Sequence, residues 1–146
     1  MPESTSSSTR PDPNLWVTIL AGGSGTRFWP ASTPSRPKQL LALAGDRPLI
    51  LETLDRARSL APESRIRILT GSHLLGPFQE VLGDLDPSCF LVEPLARGTG
   101  PVLTWAAWVL SRSDPDAVMV SLHADHDIRP LAAFSSLVQA GSAAAR

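Results

Sequence analysis

The chain has one cysteine, one lysine and no tyrosine in 146 residues, and no apolar run approaches the length of a membrane span. A lone cysteine excludes an internal disulfide framework. Cys89 sits in the apolar run "CFLVEP", where a thiol serves as a small buried hydrophobe rather than a nucleophile. A formal net charge of −1 excludes a broad basic surface for nucleic acid or anionic membrane, so phosphate binding has to come from a few placed groups. The start, "MPESTSSSTRPDP", lacks the apolar stretch of a signal peptide, and the expected location is the cytoplasm. This polar head, residues 1–14, is expected to be disordered.

What is present is enough for one domain over residues 15–146: 42% apolar residues in the chain can bury a core. "LWVTILA" (15–21) is a nearly continuous apolar run between Pro13 and the Gly22-Gly23 pair, which predicts a strand buried on both faces. "RPLILETLDRARSL" (47–60) places Leu51, Leu54, Ala57 and Arg58 at helical spacing and stops before Pro62. "RIRILTG" (65–71) reads as the second strand. In "SHLLGPFQEVLGDL" a helix is expected with open limits, because Gly76-Pro77 falls in its early turns. "CFLVEP" (89–94) and "DAVMVSLH" (116–123) predict two more strands, and 99–112 and 130–146 two more helices. Strand and helix thus alternate four times. The expected fold is α/β, a Rossmann-like, doubly wound, mostly parallel sheet with helices on both faces, and its chemistry belongs beyond the strands' carboxyl ends.

Two loops fall there, "GGSGTR" after the first strand and "ADHD" after the fourth. Gly22, Gly23 and Gly25 allow several backbone N–H groups to approach an anion closely. Each charge-assisted bond to a phosphate contributes roughly 1.5–3 kcal/mol, so three or four could hold a nucleotide without a basic surface. The spacing is neither G-x-G-x-x-G nor G-x-x-x-x-G-K-[ST], and by glycine spacing alone a tight βα turn is an equal alternative. Arg27 adds a planar fork suited to bidentate phosphate contact, and Lys38, the sole lysine, a compact ammonium.

Taken whole, "AGGSGTRFWPASTPSRPKQLLAL" resembles the signature of the sugar-1-phosphate nucleotidyltransferases, and "GGSGTR", "WP" and "PKQ" together resemble the mannose-1-phosphate guanylyltransferases. The resemblance implies an incomplete nucleotidyltransferase domain, a nucleotide-binding half that takes GTP and a sugar 1-phosphate and forms GDP-mannose and pyrophosphate. It assigns nucleotide contacts to Leu20, Ala21, Gly22, Gly23, Gly25, Thr26 and Arg27. It also gives Arg27 the leaving pyrophosphate and Lys38 the α-phosphate region. "EPLARGTGP" (93–101) is similar to a family E-P-x-x-R-N-T-A-P stretch near the base and ribose, which adds Glu93, Arg97 and Thr99; Gly98 stands where asparagine is usual and Gly100 where alanine is. "SLHADHD" is similar to a family L-P-A-D-H segment, so that Asp125 is expected to bind Mg²⁺, with His123 in the place of a proline.

The same loop, with His123, His126 and two aspartates, can also be read as a zinc site, but no third, distant ligand is evident because His73 belongs to another βα unit. Asp127 reads as a solvated acid. Trp105 and Trp108 are expected in the core, and Trp29 is expected to pack the glycine loop against the sheet. Neither nucleic acid nor a membrane is an expected partner, and a homodimer is left open. The resemblance spans about the first half of a family catalytic domain, so turnover by this chain alone is expected to be weak or absent. Other readings are a sugar-1-phosphate nucleotidyltransferase using dTTP or ATP, a catalytically inactive nucleotide-binding module, and a remnant that does not fold alone.

Overall fold

The computed structural model describes residues 12–23, 28–33, 36–43 and 45–146. Four strands, β1 (Leu15–Leu20), β2 (Ile66–Gly71), β3 (Phe90–Glu93) and β4 (Val118–His123), form one parallel sheet in the order β3-β2-β1-β4. Helices α1 (Leu49–Arg58), α2 (Ser72–Val81), α3 (Thr99–Ser113) and α4 (Leu131–Ala144) follow the strands in turn. The doubly wound α/β reading is borne out. Elements begin and end within two residues of the expected limits, except that the second helix stops at Val81. Pro77 lies inside α2, which runs on through it. The helix accommodates the missing N–H while Leu74 and Phe78 anchor its buried side.

Side-chain alternation sorts the sheet into two faces. Leu15, Val17 and Ile19 point one way, in register with Ile66, Ile68, Phe90 and Leu122, and pack with Ile50, Leu54, Ala57, Leu74 and Phe78 into the main core. Phe134 and Val138 of α4 close over the same cluster, and Ser59 after α1 meets Ser135 of α4 at 3.4 Å. Three helices therefore share that face. The connection from β3 back to β4 steps over two strands in the opposite direction, and a right-handed crossover puts α3 on the other face. There α3 buries only Ala106 and Leu110, outside the main core.

Three packing expectations need correction. α1 buries Leu49, Ile50, Thr53, Leu54, Arg56 and Ala57 with Leu51 partly buried against the same core, so of the expected stripe only Arg58 fails, turning outward to pair with Glu63 at 2.6 Å. Trp108 is 60% exposed rather than core, because it sits two residues from both Ala106 and Leu110 and so lies across the helix from them. Trp105 is half-buried. Trp29 is 77% exposed and does not pack against the sheet. Cys89 is buried as expected, its thiol donating to the Glu63 carbonyl at 3.6 Å, and burial pushes that thiol's pKa up.

At the amino ends of the strands a polar clamp closes the molecule. The Trp16 indole donates to Asp114 at 2.9 Å, Arg65 pairs with the same carboxylate at 2.9 Å, and the Arg65 and Arg67 guanidiniums lie 5.2 and 4.8 Å from the Trp16 ring centre. Asp12, within the stretch expected to be disordered, accepts from Ser142 and pairs with Arg146, and its amide donates to Gln139. Residues 1–11 lie outside the described residues. None of the helices among the described residues is long and apolar enough to cross a membrane.

Candidate active site

β1 and β4 are adjacent, yet the chain leaves them in opposite directions across the sheet. Ligands of open parallel sheets bind outside such a switch point, at the strands' carboxyl ends. A cleft of about 380 Å³ lies there, lined by the end of β1 (Leu20, Gly22, Gly23), Lys38 and Gln39, Glu93 after β3, Gly98 and Thr99 at the start of α3, and His123, Asp125 and His126 after β4. The α3 amino end, where backbone N–H groups lack helical partners and the dipole is positive, opens onto it. Gly98 immediately precedes α3 at φ 92° and ψ 177°, a conformation that glycine adopts and residues with a Cβ do not. The departure from asparagine at this position is thus matched by the backbone.

Lys38 and Asp125 meet at the centre of the cleft, Nζ to Oδ2 at 2.5 Å, with 16% and 28% of their side chains exposed. A short 3-10 turn, Lys38–Leu40, brings the lysine there, and its Nζ lies 5.9 Å from the Phe28 ring centre. Burial pushes the Asp125 carboxyl up, but the Lys38 hydrogen bond and charge, with the charge of His126, outweigh it and hold the group below its ordinary value. Asp125 is therefore a carboxylate at any neutral pH. The Glu93 carboxylate rests against Gly22: a Cβ there would come within 2.8 Å of Glu93 Oε1. A side chain at position 22 would displace the Glu93 carboxylate from this place against the loop after β1.

Of the residues singled out in the sequence, Leu20, Gly22, Gly23, Lys38, Glu93, Thr99 and Asp125 gather around this one cleft. Ala21 is fully buried beneath it, its amide bonded to Leu69 at 2.9 Å and its carbonyl held by Gln39. Arg97 is exposed and does not line the cleft. Gly25, Thr26 and Arg27 lie outside the described residues. Asp127 is exposed and paired with Arg129 at 3.0 Å, as a solvated acid would be.

Sequence reasoning missed Gln39. Its amide donates to the carbonyls of Ala21 (3.1 Å) and Gly23 (3.0 Å), latching the glycine turn, while its own Oε1 is buried with no partner. The available signal was an uncharged amide directly after the lysine in "PKQ", followed by the apolar run "LLALA". A polar side chain in that setting is buried only when its bonds are made inside the protein.

A divalent cation fits the donor set. Asp125 offers the hard oxygen that Mg²⁺ needs alongside water and phosphate oxygens. Around it, one ligand atom from each of His123, Asp125 and His126 falls within a 4.8 Å span.

The model of the nucleotidyl transferase family matches residues 17–146. The xanthan biosynthesis protein XanB of Xanthomonas campestris is 38% identical over 129 residues, and mannose-1-phosphate guanylyltransferase of Escherichia coli is 35% identical over 129. The matches take in 87% and 86% of this chain but 27% of each relative, so the chain spans about a quarter of their length. Among solved structures, a mannose-1-phosphate geranyltransferase from Thermus thermophilus superposes with a TM-score of 0.71 at 25% identity, over 87% of this chain and 37% of that one. With a four-stranded parallel sheet, a cleft at its switch point and a family match over nearly its whole length, the chain belongs to the nucleotidyl transferase family.

Proposed function

We propose that the chain is the nucleotide-binding part of a mannose-1-phosphate guanylyltransferase, which joins GTP and mannose 1-phosphate into GDP-mannose and pyrophosphate. The observation that carries the reading is the Lys38–Asp125 pair in the cleft, with the glycine turn on one side and the amino end of α3 on the other. It sets an ammonium, a carboxylate and the backbone N–H groups at the start of α3 around one cleft. The 35% identity to the E. coli guanylyltransferase supports GTP and mannose 1-phosphate as the substrates.

In the reaction an oxygen of the sugar phosphate attacks the α-phosphorus in line, and the bond from that phosphorus to the β-phosphate oxygen breaks. No covalent enzyme intermediate forms, so positioning and charge compensation carry the catalysis. Lys38 balances negative charge at the α-phosphate, and Arg27 holds the departing pyrophosphate. Gln39 fixes the carbonyls of Ala21 and Gly23 at the edge of the cleft. Glu93 and Thr99 border the nucleoside end. Asp125 would hold Mg²⁺, whose charge lowers the cost of bringing the two phosphate groups together.

Calorimetric titration with GTP, ATP and dTTP tests the reading. GTP is expected to bind most tightly, and Lys38→Met to weaken it at least about tenfold, the cost of one charge-assisted contact. Equal affinity for the three nucleotides overturns the guanylyl assignment, and no affinity for any of them overturns the function.

A further inference from the structure

We infer that Arg56 is a positioning residue for Asp125: its guanidinium, buried beneath the segment that joins β4 to α4, attracts Asp127 and so holds the turn that presents Asp125 to the cleft. Among the described residues Arg56 is the one charged side chain that is buried, 5% exposed. It lies on α1 and lines a second cleft, of about 490 Å³, together with Asp127, Ile128, Arg129 and Pro130 of that segment.

Stability alone does not call for a charge there. An apolar side chain of similar volume often stabilises an interior as well as a buried ion pair or better, but it cannot attract a carboxylate. Burial pulls the Arg56 guanidinium's pKa down, and the charges of Asp127 and then Glu52 oppose it, with Arg129 acting in the same sense as burial. The other cations of the cleft are served at its rim, Arg47 by Asp55 at 2.7 Å and Arg129 by Asp127 at 3.0 Å. Arg56 Nη1 is enclosed without a hydrogen-bond partner, and Thr53, three residues earlier and so on the same side of α1, has its buried Oγ1 equally unpartnered. Arg129 bonds to Asp127 through Oδ1. A carboxylate has about four lone-pair sites, so Asp127 can serve the rim and the buried guanidinium together.

The consequence for Asp125 follows from its two neighbours along the chain. Before it, Ala124 is 1% exposed and fixed in the core, its amide donating to the Leu20 carbonyl at 3.2 Å. After it, the exposed Asp127 is drawn by the charge of Arg56. Two anchors thus bracket the carboxylate whose Oδ2 reaches Lys38. Without the second, Asp125 keeps its chemistry and loses its place, as a metal ligand does when the groups that orient it are removed.

The inference rests on the proposed function in giving Asp125 the ion, and the test separates the two. Hydrogen exchange at the Ala124 and His126 amides, the latter bonded to the His123 carbonyl at 3.4 Å, is followed by NMR on the chain without ligand. GTP is then titrated by calorimetry with and without Mg²⁺. Arg56→Gln is expected to speed exchange at both amides at least about tenfold while those of β2 stay unchanged. It should also cut the gain in GTP affinity that Mg²⁺ confers at least about tenfold, with Mg²⁺-free affinity as in wild type. Arg56→Lys should restore most of each loss. Asp127→Asn, a change at an exposed side chain, should match Arg56→Gln, and the double variant should be no worse than either. Unaltered exchange at the two amides in Asp127→Asn and in folded Arg56→Gln overturns the inference, and so does a GTP affinity lowered equally with and without Mg²⁺. If Arg56→Gln does not fold, Asp127→Asn decides alone. A wild-type chain without GTP affinity refutes the function, and amide exchange then decides the inference by itself.

Discussion

Gln39 carries more of the site's geometry than its plain chemistry suggests. It is 1% exposed and bonded to two carbonyls of the glycine turn, so its loss leaves Ala21 and Gly23 oxygens without donors. Gln39→Leu keeps the shape and removes both bonds. We expect it to cost about 1–3 kcal/mol, the range for stranding buried polar groups, and to weaken GTP binding through the turn. Urea unfolding and calorimetry on one sample read both effects, and stability and affinity equal to wild type would remove Gln39 from the site. The residue was hidden in the sequence because glutamine carries no charge and no fixed partner. Lys38 and Asp125 stood out by rarity and by position after a strand, yet nothing in the order of residues said that atoms 87 positions apart would meet.

At the scale of elements, the strands were legible because parallel strands covered on both sides are continuous apolar runs bounded by Gly and Pro. The helices were legible in extent but less so in facing. α3 has apolar residues all round, so periodicity could not say that Ala106 and Leu110 face inward and Trp108 outward; that is decided by where the crossover lands. Gly98 shows the same limit from the other side. Its φ of 92° is set by how the chain turns from β3 into α3, and a Cβ there meets no atom within 4 Å, so the penalty for any other residue is backbone strain alone. Gly98→Ala and Gly98→Asn are therefore both expected to lower stability by about 1–3 kcal/mol, measured by thermal unfolding. An unaffected Gly98→Asn would mean that the turn can relax at no cost.

For the molecule as a whole, the two ends of the sheet do different work. The carboxyl ends carry the cleft, and the amino ends carry the clamp of Trp16, Arg65 and Asp114. The indole hydrogen bond is the main cause holding the Asp114 carboxyl below its ordinary value, with the Arg65 bond and charge acting the same way against burial. A carboxyl that titrates lower in the folded chain than in the unfolded one stabilises the fold fully above the ordinary carboxylate range, and that stabilisation is lost as pH falls through the depressed value. Asp114→Asn should thus lower the urea midpoint at neutral pH while leaving GTP affinity unchanged, and the gap from wild type should narrow below roughly pH 4. Lys38→Met should behave in the reverse manner, losing affinity with little change in midpoint. A clamp variant that loses GTP binding while still folded would show that the two ends are coupled.

The burial of Cys89 has a practical consequence. A chain whose one thiol is shut inside the core, with its ionisation suppressed, behaves toward maleimides and spin labels as though it had no cysteine. A cysteine introduced at the exposed Trp108 or Arg97 would be the one handle such reagents reach. Probes placed there could follow the start of α3 and its outward face as nucleotide enters, with the native thiol left in place.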